Sequence, residues 1–276
     1  MINLMIWILV VVLYFPIFWK LYQAKWEDID YTHAYFILPL SLWLTWRNRS
    51  KIKELTVLNK AGISFVGLLF LLLGLLMYMF GWLQEYLFIS TLSLVPLLIG
   101  LISYLYGWSV MRALSFPLFY LLLLVPPPLG VLDSITLPMR YGISFLAEKI
   151  LRFLDYPITR EGLLLTIGYN DIFMGQPCSG FRSLVTMFSL VLVYVYISKC
   201  SLNKKIALTL FIIPFALIGN LIRVITLCLI TFYFGEEVGQ GFFHNFSGIV
   251  VFIITIFGII GLESLLERNK AGIHES

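Results

Sequence analysis

Long apolar runs constrain this chain more than any other feature. Runs of about 20 apolar residues can each cross the hydrocarbon core of a bilayer, and the sequence offers about eight of them. Hydrophobic residues make up 60% of the 276 residues and charged residues 12%, which is more apolar surface than a soluble domain can bury. We therefore predict an all-α polytopic membrane protein that forms one integral membrane domain over 1–276. The predicted spans are Leu4–Leu21, Ala34–Trp46, Ala61–Trp82, Leu87–Tyr106, Ala113–Leu129, Arg182–Ser198, Ile206–Phe234 and Asn245–Leu266.

The charges in the loops predict how the helices are oriented. Basic residues cluster at 47–60, at Arg112, at 199–205 and after the last run, whereas the acidic residues at 27–30 and 236–237 fall in the alternate loops. Because cytoplasmic loops carry the excess of Lys and Arg, we expect both termini in the cytoplasm of a multi-pass protein of the cell (inner or plasma) membrane. Met1 is expected to begin a retained first helix, because no signal-peptide pattern follows it. These basic residues orient helices, so we expect membrane lipids and no nucleic acid as partners.

The segment 130–177 breaks the pattern of apolar runs. The prolines at 126–128 end the fifth run, because proline lacks the backbone N–H that a helix needs. Residues 132–154 have apolar residues at helical spacing but carry five charged side chains, and Asp155 follows directly, which favours a helix lying in the membrane interface. Residues 157–173 contain glycines and an Asn170-Asp171 pair, which predicts a short hairpin with a turn at that pair. We expect this whole segment on the extracytoplasmic side.

A cysteine stands directly in front of the sixth apolar run. Pro177 and Gly180 indicate a turn around Cys178, so the cysteine is expected where a loop enters a membrane helix. The free N–H groups of a helix N-terminus and the positive charge of Arg182 both favour the thiolate, which is the nucleophilic form of cysteine. The alternative is that Cys178 is a small buried hydrophobe, as a lone cysteine in an apolar chain usually is.

Two further polar residues are predicted to meet this cysteine. Arg223 lies inside the seventh run, about 15 Å below its outer end, and an ionisable residue within a membrane helix indicates function. Asn220 shares its helix face, and His244 begins the last run on the same outer side. A thiol, a guanidinium and an imidazole in one outer-leaflet pocket would suit covalent acyl transfer. Alternatively, Arg223 only ties helices together through backbone carbonyls.

Other reactive side chains carry less weight. Cys200 lies at the cytoplasmic end of the sixth run, Cys228 suits packing within the seventh, and His33 suits an interfacial cap. The absence of a C-x-x-C motif argues against a zinc site and a dithiol relay. With only one histidine plausibly placed in the membrane, haem is also disfavoured. We predict no cofactor and no metal.

These residues resemble the motifs of the exosortase/archaeosortase family. The resemblance rests on Pro177–Ser183, on Asn220-x-x-Arg223, and on His244 with Gly248 four residues later. Weaker similarity covers Tyr31–Ala34 with Trp46-Arg47, and Phe116-Pro117 with Pro126-x-Pro128. Thr32 and Ala34 stand where the family often has serine and glycine. Neither residue belongs to the predicted set of Cys178, Arg223 and His244.

The resemblance implies a membrane cysteine transpeptidase that cleaves C-terminal sorting signals of exported proteins. Such a signal has a Pro-Glu-Pro-like (PEP-CTERM-like) motif, a transmembrane helix and a basic tail, and the new C-terminus passes to an unknown acceptor, such as a lipid or a polysaccharide. The family roles would fall on Cys178 as nucleophile, His244 as general acid and base, and Arg223 as transition-state stabiliser. Arg182 and Asn220 are expected to support them from the charge and helix-face arguments.

Two other functions stay open from the residues alone. A transporter or flippase would use Arg223 to bind an anionic or lipid-linked substrate, although no inverted repeat or pair of broken helices is evident. A structural subunit would leave the convergence of Cys178, Arg223 and His244 unexplained.

Overall fold

The chain is mostly helical, in line with the predicted class. The computed structural model describes residues 2–23, 34–58, 65–128, 130–198, 201–240, 253–254, 256–258 and 260–261. These residues divide into two compact units, 1–129 and 130–276. The prediction of one domain over 1–276 stays a prediction.

All regular elements of the first unit are helices in its described residues, 2–23, 34–58 and 65–128. Its elements are α1 (Ile2–Leu21), α2 (Ala34–Arg47), α3 (Arg49–Leu58), α4 (Phe65–Leu83), α5 (Leu87–Leu92), α6 (Leu94–Tyr106), α7 (Trp108–Ala113), α8 (Ser115–Tyr120) and a 3-10 turn (Leu121–Leu124).

The second unit combines helices with a small sheet. Its elements are α9 (Val131–Phe153), β1 (Ile158–Glu161), β2 (Leu164–Ile167), β3 (Asn170–Phe173), a 3-10 turn (Gln176–Ser179), α10 (Phe181–Ile197), α11 (Leu202–Phe234) and α12 (Glu236–Gln240).

Four stretches of the described chain are helical, long and apolar enough to cross a membrane, so the polytopic helical class is confirmed. They are Asn3–Leu21, Phe65–Leu83, Leu87–Tyr106 and Leu202–Phe234. Ser115–Leu124 and Ser183–Ile197 are shorter apolar helices.

The remaining predicted spans are less complete. The fifth is helical only to Leu124, because Val125 is extended and prolines follow. The last predicted span, Asn245–Leu266, is described only in part. Its described residues are helical and are 253–254, 256–258 and 260–261. The total of eight spans stays a prediction.

Small residues bring α4 against α5 and α6 in the first unit. Gly67, Gly74 and Gly81 recur every seven residues and are all buried. A Cβ at Gly74 would lie 2.6 Å from the backbone nitrogen of Leu97, and one at Gly81 would lie 2.6 Å from that of Ser90. The glycines therefore allow backbone contact between helices, which is how membrane helices gain packing without a hydrophobic driving force.

The predicted interfacial helix at 132–154 exists as α9. Its buried residues recur at helical spacing along one face, whereas most charged side chains lie elsewhere on the helix. The buried face contains Thr136, Arg140, Ile143, Ser144, Ala147 and Leu151. This face packs against α11 and against the 3-10 turn that carries Cys178. The position of α9 at the membrane surface stays a prediction.

The segment predicted as a short hairpin is a three-stranded antiparallel sheet in the order β1-β2-β3. The predicted turn at Asn170-Asp171 is wrong, because these residues begin β3 and Asp171 pairs with Thr166 of β2. Thr166 Oγ1 donates a hydrogen bond of 2.7 Å to Asp171 Oδ1 across the strands. The chain reverses instead at Gly168, whose φ of 62° suits glycine.

The sheet packs against the last turns of α11. Asn170 Nδ2 donates to the Thr231 carbonyl at 3.2 Å, and the Tyr156 and Tyr233 hydroxyls are 3.1 Å apart. At 1.5 Å per residue the 33 residues of α11 extend about 50 Å, well beyond the roughly 30 Å hydrocarbon core. We infer that the turns of α11 that carry the sheet lie beyond the hydrocarbon core.

We expect Gly74→Ala to lower the free energy of unfolding by about 1–3 kcal/mol, because the new methyl group meets the Leu97 backbone. The readout is the thermal midpoint of the protein in detergent. Gly142→Ala in α9 is the control, since a Cβ there meets nothing within 4 Å and alanine favours the helix by about 0.5–1 kcal/mol. Equal midpoints for the two variants would contradict this close packing.

Candidate active site

Cys178 lies in a tight turn that leads directly into α10. Its backbone N–H donates to the Gly175 carbonyl at 3.0 Å, and the side chain is 4% exposed. Gly180 closes the turn in the left-handed conformation with φ of 74°, and Ser179 Oγ accepts a hydrogen bond from the Phe181 N–H at 3.1 Å. The structure therefore confirms that Cys178 lies where a loop enters a helix.

Asn220 of α11 holds this turn from the side. Its Nδ2 donates a hydrogen bond of 2.8 Å to the Cys178 carbonyl, and the Asn220 side chain is fully buried. A Cβ on Gly180 would lie 2.7 Å from the Asn220 side-chain carbon Cγ, so the glycine is needed for the contact as well as for the turn. The predicted pair Cys178 and Asn220 is thus brought together.

The other atom of the Asn220 amide is unused. Asn220 Oδ1 is buried and has no hydrogen-bond partner among the described residues. An unpaired buried acceptor is costly, so it marks a place where an incoming N–H group would be stabilised.

Arg223 lies on the same buried face of α11, one turn after Asn220, and is 8% exposed. Its neighbours Val224 and Leu227 belong to the apolar cluster that includes Cys178. The end of α11 at Phe234 agrees with the predicted outer end of the seventh run, and the depth of Arg223 in the membrane stays a prediction. Because Asn220 contacts Gly180 at the start of α10, Arg223 lies near the level where α10 begins.

Other predicted residues fall partly outside the structure. His244, Cys200 and His33 lie outside the described residues, as does the side chain of Arg182. Cys228 is fully buried in the same apolar cluster as Cys178, which agrees with a packing role. Within the described ranges no group of three or more His, Cys, Asp and Glu side chains could hold a metal ion.

The family model of the transmembrane exosortases matches residues 26–261. The chain belongs to the transmembrane exosortase family. Comparison with curated proteins and with solved structures finds no match. Family membership implies a membrane transpeptidase that processes PEP-CTERM sorting signals, and the matched range of this exosortase contains the cysteine turn, Asn220, Arg223 and His244.

One buried cation of the exosortase, Arg140, was not among the site residues that the sequence predicted. Arg140 is 8% exposed on the face of α9 that packs on the cysteine turn, whereas by sequence it counted only among the charges of an interfacial helix. The spacing could have revealed it, because Arg140, Ile143, Ala147 and Leu151 form one helical stripe.

We expect Gly180→Ala to destabilise the exosortase more than Gly130→Ala does. Both glycines have positive φ, 74° and 83°, so both substitutions strain the backbone. At Gly180 the new Cβ also collides with the Asn220 side chain. At Gly130 a new Cβ meets nothing within 4 Å. We expect an additional loss of about 1–3 kcal/mol.

Two readouts test this difference. The first is the thermal midpoint, and the second is the rate of Cys178 alkylation in a Cys200→Ser, Cys228→Ser background, which should rise as the turn loosens. Identical behaviour of the two glycine variants would mean that Asn220 does not hold the turn.

Proposed function

We propose that this exosortase cleaves the C-terminal sorting signals of exported proteins at the outer face of the membrane, with Cys178 as the nucleophile. The observation that carries the proposal is the Asn220–Cys178 hydrogen bond of 2.8 Å. It holds the cysteine turn against the same face of α11 on which Arg223 is buried one turn away. A reactive thiol and a permanent cation in one low-dielectric place form the core of an acyl-transfer site.

The reaction proceeds in two displacements. The Cys178 thiolate attacks the scissile carbonyl carbon, the carbonyl electron pair moves to oxygen, and Arg223 stabilises the oxyanion. The tetrahedral intermediate expels the amine, which takes a proton from His244, and an acyl-thioester remains. The acceptor then loses a proton to His244 as it attacks the thioester, and the thiolate is regenerated.

The proposed substrate has a Pro-Glu-Pro-like motif, a transmembrane helix and a basic tail. Its helix would lie in the bilayer beside the enzyme and present the motif to the extracytoplasmic side, above the start of α10. The acceptor is unknown, and a lipid or a polysaccharide would each supply a suitable nucleophile. Both termini of the enzyme face the cytoplasm in this arrangement, which agrees with the basic loops.

We expect Cys178→Ala to abolish processing and to leave the protein folded, because the nucleophile is lost while the Asn220 contact uses only the backbone carbonyl. Mass spectrometry of the substrate C-terminus, with and without enzyme, gives the readout. Hydroxylamine should cleave the acyl-thioester of the wild-type enzyme and release the substrate fragment as a hydroxamate, and it should release none from the variant.

Cys228→Ala is the matched control, since Cys228 is a second buried free cysteine and should retain processing. Normal processing by Cys178→Ala would end the proposal. Full activity after a thiol-blocking reagent has modified Cys178 would favour the transporter alternative.

We expect Arg223→Gln to lower kcat by about 10²- to 10³-fold, the usual effect of removing one group that stabilises an oxyanion. Binding of the same substrate to a Cys178→Ala, Arg223→Gln variant should match binding to Cys178→Ala alone, because the cation acts in the transition state. A pure packing role for Arg223 would instead appear as a lower thermal midpoint with kcat unchanged per folded molecule.

A further inference from the structure

Arg140, in the second unit, is a buried cation without a close ion pair among the described residues. Its side chain is 9% exposed, and its Nε is buried without a hydrogen-bond partner among the described residues. The nearest described carboxylate oxygen, on Asp133, lies 3.6 Å from a terminal guanidinium nitrogen, and that side chain is 61% exposed. A pair of this kind contributes little, so the described part of the chain leaves the charge of the guanidinium largely uncompensated.

The position of Arg140 ties it to the cysteine turn. Ile143, Ala147 and Leu151 follow on the same stripe of α9 and share one apolar cluster with Cys178. Arg140 precedes Ile143 by about 4.5 Å along the helix axis. Arg140 therefore lies at one end of the α9 face that packs over Cys178. An extended peptide of a few residues is long enough to reach from Cys178 to Arg140.

A second unpaired group lies one turn before Arg140. Thr136 is 2% exposed, and its Oγ1 also lacks a partner in the described part of the chain. A guanidinium offers a planar fork of N–H donors, and a hydroxyl adds one more donor, which together match the oxygens of a carboxylate. A buried arginine without a strong partner is more costly than an apolar residue of the same size, so stability does not explain it.

We propose that Arg140, assisted by Thr136, binds the carboxylate of an acidic side chain in the peptide substrate and so selects an acidic residue in the sorting signal. This inference rests on the proposed function, because it assumes that a peptide lies beside Cys178. Arg140 acts here on specificity, whereas Arg223 acts on the reaction itself.

The test measures binding and cleavage separately. Labelled peptides with Pro-Glu-Pro, Pro-Gln-Pro or Pro-Lys-Pro motifs are bound to the full-length Cys178→Ala protein in nanodiscs of zwitterionic lipid, and the dissociation constants are read by fluorescence anisotropy. We expect the Glu peptide to bind about 10- to 100-fold more tightly than the Gln peptide, as for one charge-assisted hydrogen-bonded pair. Adding Arg140→Gln should reduce that ratio to about 1, and Arg140→Glu should shift the preference to the Lys peptide.

Arg152→Gln is the matched control. Arg152 lies on the same helix, but its side chain is 63% exposed and is paired with Glu148, so the Glu preference should persist. Arg140→Met serves as the folding control. Its thermal midpoint should equal or exceed that of the parent, because an apolar side chain replaces an uncompensated buried charge, while the Glu preference is lost.

The outcomes separate the two proposals. A Glu-to-Gln ratio that survives Arg140→Gln, or an equal loss of binding for all three peptides, overturns the inference. An equal loss with the thermal midpoint of Arg140→Met unchanged or raised would indicate that Arg140 binds a lipid phosphate instead. A lower midpoint for Arg140→Met together with an equal loss would assign it a structural role. If the Arg140-dependent preference holds but wild type cleaves none of the peptides, the inference stands and the proposed function fails.

Discussion

The hydrogen bond from Asn220 to the Cys178 carbonyl joins residues 42 positions apart and holds the turn of the candidate nucleophile against α11. Both groups are buried, so breaking the bond would leave a carbonyl and an amide unpaired at about 1–3 kcal/mol for each group. The contact depends on the absence of a Cβ at Gly180, which also ends the turn and begins α10. One glycine and one asparagine therefore set the height of Cys178 along α11.

The contact between Asn220 and the cysteine turn lies part-way along α11, between two regions with different neighbours. The first turns of α11 pack with α10, and its last turns carry the three-stranded sheet through Asn170 and Tyr156. Asn220 and Arg223 lie between these two regions, where the apolar helix pair gives way to the sheet and α9. In the proposed function this level lies at the bilayer surface, where the Cys178 thiol would meet a sorting signal just outside its transmembrane helix.

The second unit keeps polar atoms unsatisfied where an apolar core would be more stable. Arg140 Nε, Thr136 Oγ1 and Asn220 Oδ1 are all buried without partners in the described part of the chain, and they lie on the two helices that pack against the cysteine turn. Such atoms are uncommon in native proteins and call for an explanation. The proposed binding of a peptide supplies one, because the backbone and the acidic side chain of the peptide bring the complementary groups.

The sequence by itself determined the elements that depend on local pattern. Hydropathy located the four long apolar helices, helical spacing located α9, and Pro177 with Gly180 placed Cys178 in a turn before a helix. The tertiary structure alone decided what depends on partners distant in the chain. Strand β3 forms because Asp171 pairs with Thr166, although the Asn170-Asp171 pair locally favours a turn. Likewise, Arg140 is buried because α9 packs against the cysteine turn and α11, and a residue's burial depends on the neighbours that fold against it.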